Sequence, residues 1–132
     1  MSSLELQKAM VARLKADATL ITLVNGRVYD SPPPSPTYPF ISLGPDQILP
    51  SRADCYDGSE ITLQVDAWSR SVGYPEVKRI ADAIRASLND APLVLAGQRL
   101  VDIYESETRT LRDPDGATSH AAISFRALTE PV

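Results

Sequence analysis

Residues that carry chemistry are scarce in this chain. It has one cysteine, Cys55, and one histidine, His120, among 132 residues. A lone cysteine excludes an internal disulfide and gives no metal-ligand spacing; it suits a reducing compartment or no compartment in particular. One histidine leaves no cluster of metal ligands visible by spacing. The six glycines form no glycine-rich phosphate loop. No apolar run approaches the ~20 residues that cross a bilayer. The start, Met1-Ser2-Ser3-Leu4-Glu5, lacks the basic stretch and apolar core of a signal peptide. Cations are also in deficit: Lys and Arg total 13 against 17 Asp and Glu, a formal net charge of −4. That balance argues against tightly held nucleic acid, because phosphate binding runs on clustered Lys and Arg. It is compatible with a surface that tolerates DNA nearby. Repeats are absent, and the length fits one domain, 1–132, with a core of its own.

What is present is a strong strand-turn-helix signal between Glu60 and Leu88. Ile61, Leu63, Val65 and Ala67 alternate with Thr62, Gln64, Asp66 and Trp68, the two-residue period of a strand with one buried face. Beyond Pro75, Val77, Ile80, Ala81, Ile84 and Leu88 recur at helical spacing. Pro75 suits a first helical turn, Glu76 its positive end, and Asn89 a stop. The helix stripe covers the strand's apolar face, and that contact is the expected core.

The rest of the chain adds to it. Ser2 and Glu5 have capping-box spacing, and Leu6, Met10 and Leu14 share one face of a helix to about Ala16. Asp17 to Val24 reads as one or two further helical turns, closed by Asn25-Gly26. Arg27 to Asp30 is a short extended piece. Ser31 to Pro39 holds five prolines and reads as a stiff surface linker. Tyr38 to Gly44 is a strand. Pro45 to Ser59 shows no period and is expected as a long charged loop. Strands at about 98–109 and 118–128 flank an Asp113-Pro114-Asp115-Gly116 turn. The expected fold is α+β: a four-stranded, mainly antiparallel sheet, two helices on one face, and a long loop in the first hairpin.

Few residues suggest a site, and no catalytic, cofactor or metal site is expected. Cys55 and His120 could form a nucleophile pair, but Cys55 stands among acidic residues, which disfavour the reactive thiolate. His120, at an outward strand position, is expected to be solvated. Asp54, Asp57 and Glu60 lack the alternate-position carboxylates of a calcium loop. Contact candidates are Ile48, Leu49, Arg52 and Asp54 in the 45–59 stretch, where two aliphatics have no core role. Trp68 has two readings, a strand-end aromatic covering the core from the side or an interface anchor. Arg109, Arg112 and Arg126, near the last hairpin, are either solubilising charges paired with Asp113 and Asp115 or a surface complementary to a protein partner.

Taken in order, several segments resemble the tail-completion, or tail-terminator, proteins of long-tailed bacteriophages and phage-like gene transfer agents. They are Leu-Lys-Ala-Asp-Ala-Thr-Leu at 14–20, Asn-Gly-Arg-Val-Tyr-Asp at 25–30, and the Pro-rich approach to Tyr-Pro-Phe-Ile-Ser-Leu-Gly at 38–44. Leu-Gln-Val-Asp-Ala-Trp-Ser at 63–69, and Asp-Pro-Asp-Gly at 113–116 followed by His120, complete the set. The resemblance implies a structural protein of the neck region with no catalytic residues. It implies a hexameric ring on the tail tube that ends tube growth and meets the head-side stopper or connector. DNA passes through its lumen, and no cofactor or membrane is involved. It also implies assembly in the host cytoplasm. Two rival readings remain, another neck protein such as a stopper or adaptor, and a small cytoplasmic enzyme.

Overall fold

A computed structural model of the chain describes residues 3–53 and 56–132, with only the backbone course at 51–53, 56 and 57. Helices α1 (Ser3–Ala16) and α2 (Ala18–Val24) lead into the short strand β1 (Val28–Tyr29). Strands β2 (Phe40–Ala53) and β3 (Tyr56–Ser69) follow, then helix α3 (Pro75–Leu88) and strands β4 (Gln98–Arg112) and β5 (Ser119–Pro131). The sheet order is β1-β2-β3-β5-β4. β1 runs parallel to β2, and every other pairing is antiparallel.

Local chemistry sets the helix limits. The Asp17 carboxylate accepts from the Leu20 N–H at 3.0 Å, capping α2. Asn25 closes it at φ 53°, in the left-handed region that Asn tolerates. Pro75 opens α3 and Asn89 ends it. The proposed box at the start of α1 needs Ser2, which lies outside the described residues. All three helices pack on one sheet face. Leu6, Met10, Leu14, Leu20 and Val24 meet Val77, Ile80, Ile84 and Leu88 over Ile61, Leu63, Val65, Ile123 and Phe125, all buried. Arg13 Nε also donates to the Ser87 carbonyl at 2.8 Å, tying α1 to α3.

Among the described residues three expectations need correction. The sheet has five strands and is mixed, because the extended piece at 28–29 pairs with Ile41 and Ser42; two residues are too short to show a period. The helices number three, since the Asp17 cap makes α2 a separate element. The 45–59 stretch is no loop: β2 and β3 pair on through Asp46↔Leu63, Leu49↔Glu60 and Ser51↔Gly58 to Ala53↔Tyr56. Pro45 and Pro50 hid this strand. Proline is tolerated at a bulge and on an edge, and β2 has both, with an irregularity between Leu43 and Asp46. β5 leaves β3 at Ser59↔Thr129, so the hairpin continues beyond the sheet body as a two-stranded ribbon.

The crossover agrees with expectation. α3 joins β3, the inner strand of the first hairpin, to β4, the far strand of the second. The bulge between Leu100 and Asp102 turns Val101 outward, to 48 % exposure, whereas Ile103 stays in the core.

Candidate assembly surfaces

The face without helices is polar but closely packed. Register places Phe40, Trp68 and His120 side by side across β2, β3 and β5. The Trp68 and His120 rings stack at 3.9 Å between centroids and 9° between planes, and Phe40 follows at 6.1 Å from Trp68. Trp68 Nε1 donates to Ser42 Oγ at 2.9 Å. One step along β3, Asp66 is buried, and both His120 Nε2 (2.6 Å) and Gln64 Nε2 (2.7 Å) meet its Oδ1. A carboxylate only accepts, so Nε2 of His120 carries the hydrogen in this bond. A buried carboxylate is tolerable only when its hydrogen bonds are made. Gly44 on β2 completes the arrangement: a Cβ there would fall 2.7 Å from Asp66 Oδ2. His120 is therefore packed, its side chain 13 % exposed, and not solvated as its outward position suggested. Farther down the same face Arg126 pairs with Glu60. That carboxylate, by hydrogen bond and by charge, raises the guanidinium above its ordinary pKa.

The candidate contact residues fall into separate places. Ile48 and Leu49 stand where β2 runs into the ribbon, 39 % and 48 % exposed. They point to opposite faces, opposite Ile61 and Glu60 respectively. Arg52 pairs through its backbone with Asp57, and Asp54 lies outside the described residues. Trp68 lies half-buried on the helix-free face. Arg109 is exposed on that face, opposite Ala122. Arg112 and Asp113 sit at the far end of β4. Arg112 lies 4.8 Å from the Tyr74 ring centroid. Asp113 closes the 113–118 turn through its backbone N–H to the Thr118 carbonyl, at 2.8 Å.

Among the described residues neither Arg109 nor Arg112 forms an ion pair, whereas Arg126 pairs with Glu60. Asp115 is used inside its own turn, accepting from Ala117 N, Thr118 N and Thr118 Oγ1. Those bonds, the Thr118 hydroxyl first, lower its pKa. Asp66, Gln64, Ser42 and Gly44 are not among the candidates read from the sequence, and His120 is there only as a possible partner of Cys55. Alternation alone puts Asp66 and Trp68 on one face, but only the register shows His120 and Ser42 beside them.

These surfaces hold no group of three or more His, Cys, Asp or Glu placed for a metal ion among the described residues. The family model for tail completion protein gp17 matches residues 8–130. The chain belongs to that family. Tail completion protein gp17 of Bacillus phage SPP1 is 28 % identical over 126 residues, covering 96 % of this chain and 92 % of that protein. The solved structure of SPP1 gp17 matches with a TM-score of 0.66 and 26 % identity, over 95 % of this chain and 88 % of that one. A chain in the virion of a native gene transfer agent particle matches more closely in shape. Its TM-score is 0.90 at 29 % identity, over 97 % of this chain and 96 % of that chain. This member of the tail completion family is thus a structural tail component of a phage or phage-like particle and not an enzyme. The Cys55/His120 alternative falls with that assignment, and His120 has a structural partner in Asp66.

Proposed function

We propose that the protein closes the end of the tail tube as a ring, hexameric by the family resemblance. In this role it stops tube growth and joins the tail to the head-side stopper or connector. The observation that carries this reading is the end-to-end match, at a TM-score of 0.90, to a chain of an assembled gene transfer agent virion. A net charge of −4 suits a lumen through which DNA slides without being held. The ring forms from subunits present in the host cytoplasm and remains in the neck of the particle. Two regions make the contacts to ring or tube. One is the ribbon end, with Ile48, Leu49 and Arg52, to which the sequence adds Asp54. The other is the turn end, with Arg109, Arg112 and Asp113. Trp68, level with Leu111 through His120, adds an anchor on the helix-free face at the turn end.

The test is mass in solution by native mass spectrometry or light scattering, alone and with the tail-tube protein of the same particle, followed by negative-stain imaging. A ring in either condition is expected. A chain that stays monomeric and ignores the tube protein at high concentration removes the reading, and binding to the head-side protein alone would instead favour a stopper or adaptor. Replacement of residues 51–57 by a Gly-Ser turn is expected to weaken ring or tube binding. Unchanged binding of both kinds would remove the ribbon from the contact set.

A further inference from the structure

At the end of the sheet where α3 begins, a cleft of about 370 Å³ opens between the connections that follow β3 and β4. Arg70 and Arg112 line it, together with Val72, Gly73, Gly116 and Ser119. An aromatic ring orients each guanidinium. Arg70 lies 4.2 Å from the Tyr38 centroid, and Arg112 lies 4.8 Å from that of Tyr74. Stacking leaves the N–H edge of a guanidinium available for a carboxylate. Arg70 gives one N–H to Thr118 Oγ1 and approaches Asp115 only at 4.0 Å. Arg112 makes no ion pair among the described residues. Val72, on the rim, is 96 % exposed. Two oriented cations around an open cleft with an apolar rim fit an acidic protein segment.

The opposite end of the same sheet offers one. Asp90 and Asp102 border a shallower cleft of about 210 Å³. Both are exposed and neither forms an ion pair among the described residues, although Asp102 lies near Arg126 and acts on it by charge. Val101, in the same lining, is 48 % exposed, and Val94, in the connection that leads to β4, is 90 % exposed. The two patches cannot meet within one chain, because the ten steps along β4 from Asp102 to Arg112 span about 33 Å. Complementary patches on opposite ends of one subunit are what a heterologous contact between identical subunits requires, and such contacts close into a ring when the rotation permits. We infer that the Arg70/Arg112 cleft of one subunit receives the Asp90/Asp102 patch of the next copy. This assignment rests on the ring reading above and names the contact that builds the ring.

The experiment compares the wild type with R112E, D102R and the charge-swapped R112E/D102R, each checked for folding by circular dichroism. The readout is the concentration at half-assembly, alone or on the tube protein. Each single reversal is expected to raise it by about tenfold or more, with the swap returning most of the loss. A wild-type ring whose R112E variant assembles equally well, or whose swap recovers nothing, overturns this contact and leaves the ring reading standing. A wild type that never assembles overturns both. If a reversed variant fails to fold, a C55S/D102C/R112C chain decides, using a bismaleimide much shorter than the 33 Å span. A ladder of covalent oligomers is expected. An assembled ring without crosslinks sinks the proposal.

Discussion

On the helix side of the sheet, Ile61, Leu63, Val65, Ile123 and Phe125 are shut away from water by three helices. On the other side the same strands present Trp68, Asp66, Gln64 and His120, held by one stack and a few directed hydrogen bonds. The difference lies in what replaces a lost group. Behind the helices a deleted side chain leaves a cavity with no access for solvent. On the open face water enters and partly restores the hydrogen bonds. The first face therefore supplies stability that depends on volume, and the second supplies geometry that depends on which atoms meet.

The comparison can be broken most directly at Phe125, 1 % exposed and among the largest buried side chains. Phe125→Ala should cost about 3–5 kcal/mol of unfolding free energy, read from urea denaturation. A loss below about 1 kcal/mol would show that the helices do not seal this face, since sealed cavities of that size cost more. His120→Ala, on the open face, should cost less, about 2 kcal/mol. It removes a hydrogen bond to a charged group, typically ~1.5–3 kcal/mol, and a ring stack of ~0.5–1.5 kcal/mol, with water returning part of the sum. His120→Gln keeps a donor and loses the stack, so its cost should lie between wild type and His120→Ala. Equal costs for the two variants would show that the bond to Asp66 contributes nothing.

Gly44→Ala sharpens the same comparison. In an unstrained site this change stabilises by roughly 0.4–1 kcal/mol, because alanine restricts the unfolded chain. Here the new Cβ would meet Asp66 Oδ2 at 2.7 Å and Gln64 Cβ at 3.1 Å. The sign should invert, to a loss of about 1–2 kcal/mol from overpacking. In the His120→Ala background, where Asp66 has room to move, the loss should shrink, because neighbouring sites are not additive. An unchanged Gly44→Ala cost in that background would mean that the two sites act independently.

The two faces also differ in how far they can be read from sequence. The apolar face is periodic, so Ile61 to Ala67 and Val77 to Leu88 announce both the core and the elements that build it, and the crossover follows from their order. The network on the open face joins Ser42, Asp66 and His120, which come together only when three strands fall into register. Register is set by every pair at once and leaves no local mark. The ribbon was hidden for another reason. An edge strand tolerates Pro45 and Pro50, and residues 45–50 are all exposed, so there is no alternation to read in them. β1 is too short to carry a period at all. The family resemblance rests on the order of segments, so it reached the family without placing the ribbon, β1 or this network. It could not place Arg70, whose position over Tyr38 comes from two connections meeting in space.

The smallest expected effect is at Asp115, in the exposed turn that borders the arginine cleft. Its carboxylate accepts from Thr118 Oγ1 at 2.7 Å and from the backbone N–H groups of Ala117 and Thr118 at 2.9 Å each. These bonds favour the ionised form and lower the pKa from the ordinary 3.8, the Thr118 hydroxyl contributing most. With the folded value depressed, the unfolded chain binds more protons in the window between the two values, so stability rises with pH there. The contribution is present in full above 3.8 and is lost as pH falls through the lower folded value. Asp115→Ala should therefore lower the melting temperature slightly at neutral pH. The gap to wild type should close as pH is brought well below 3.8. A gap that persists unchanged in strong acid would mean that alanine acts through the turn's backbone preferences instead of through the carboxylate. If the gap does close, the carboxylate sets the 115–118 conformation beside the Gly116 and Ser119 wall of the cleft.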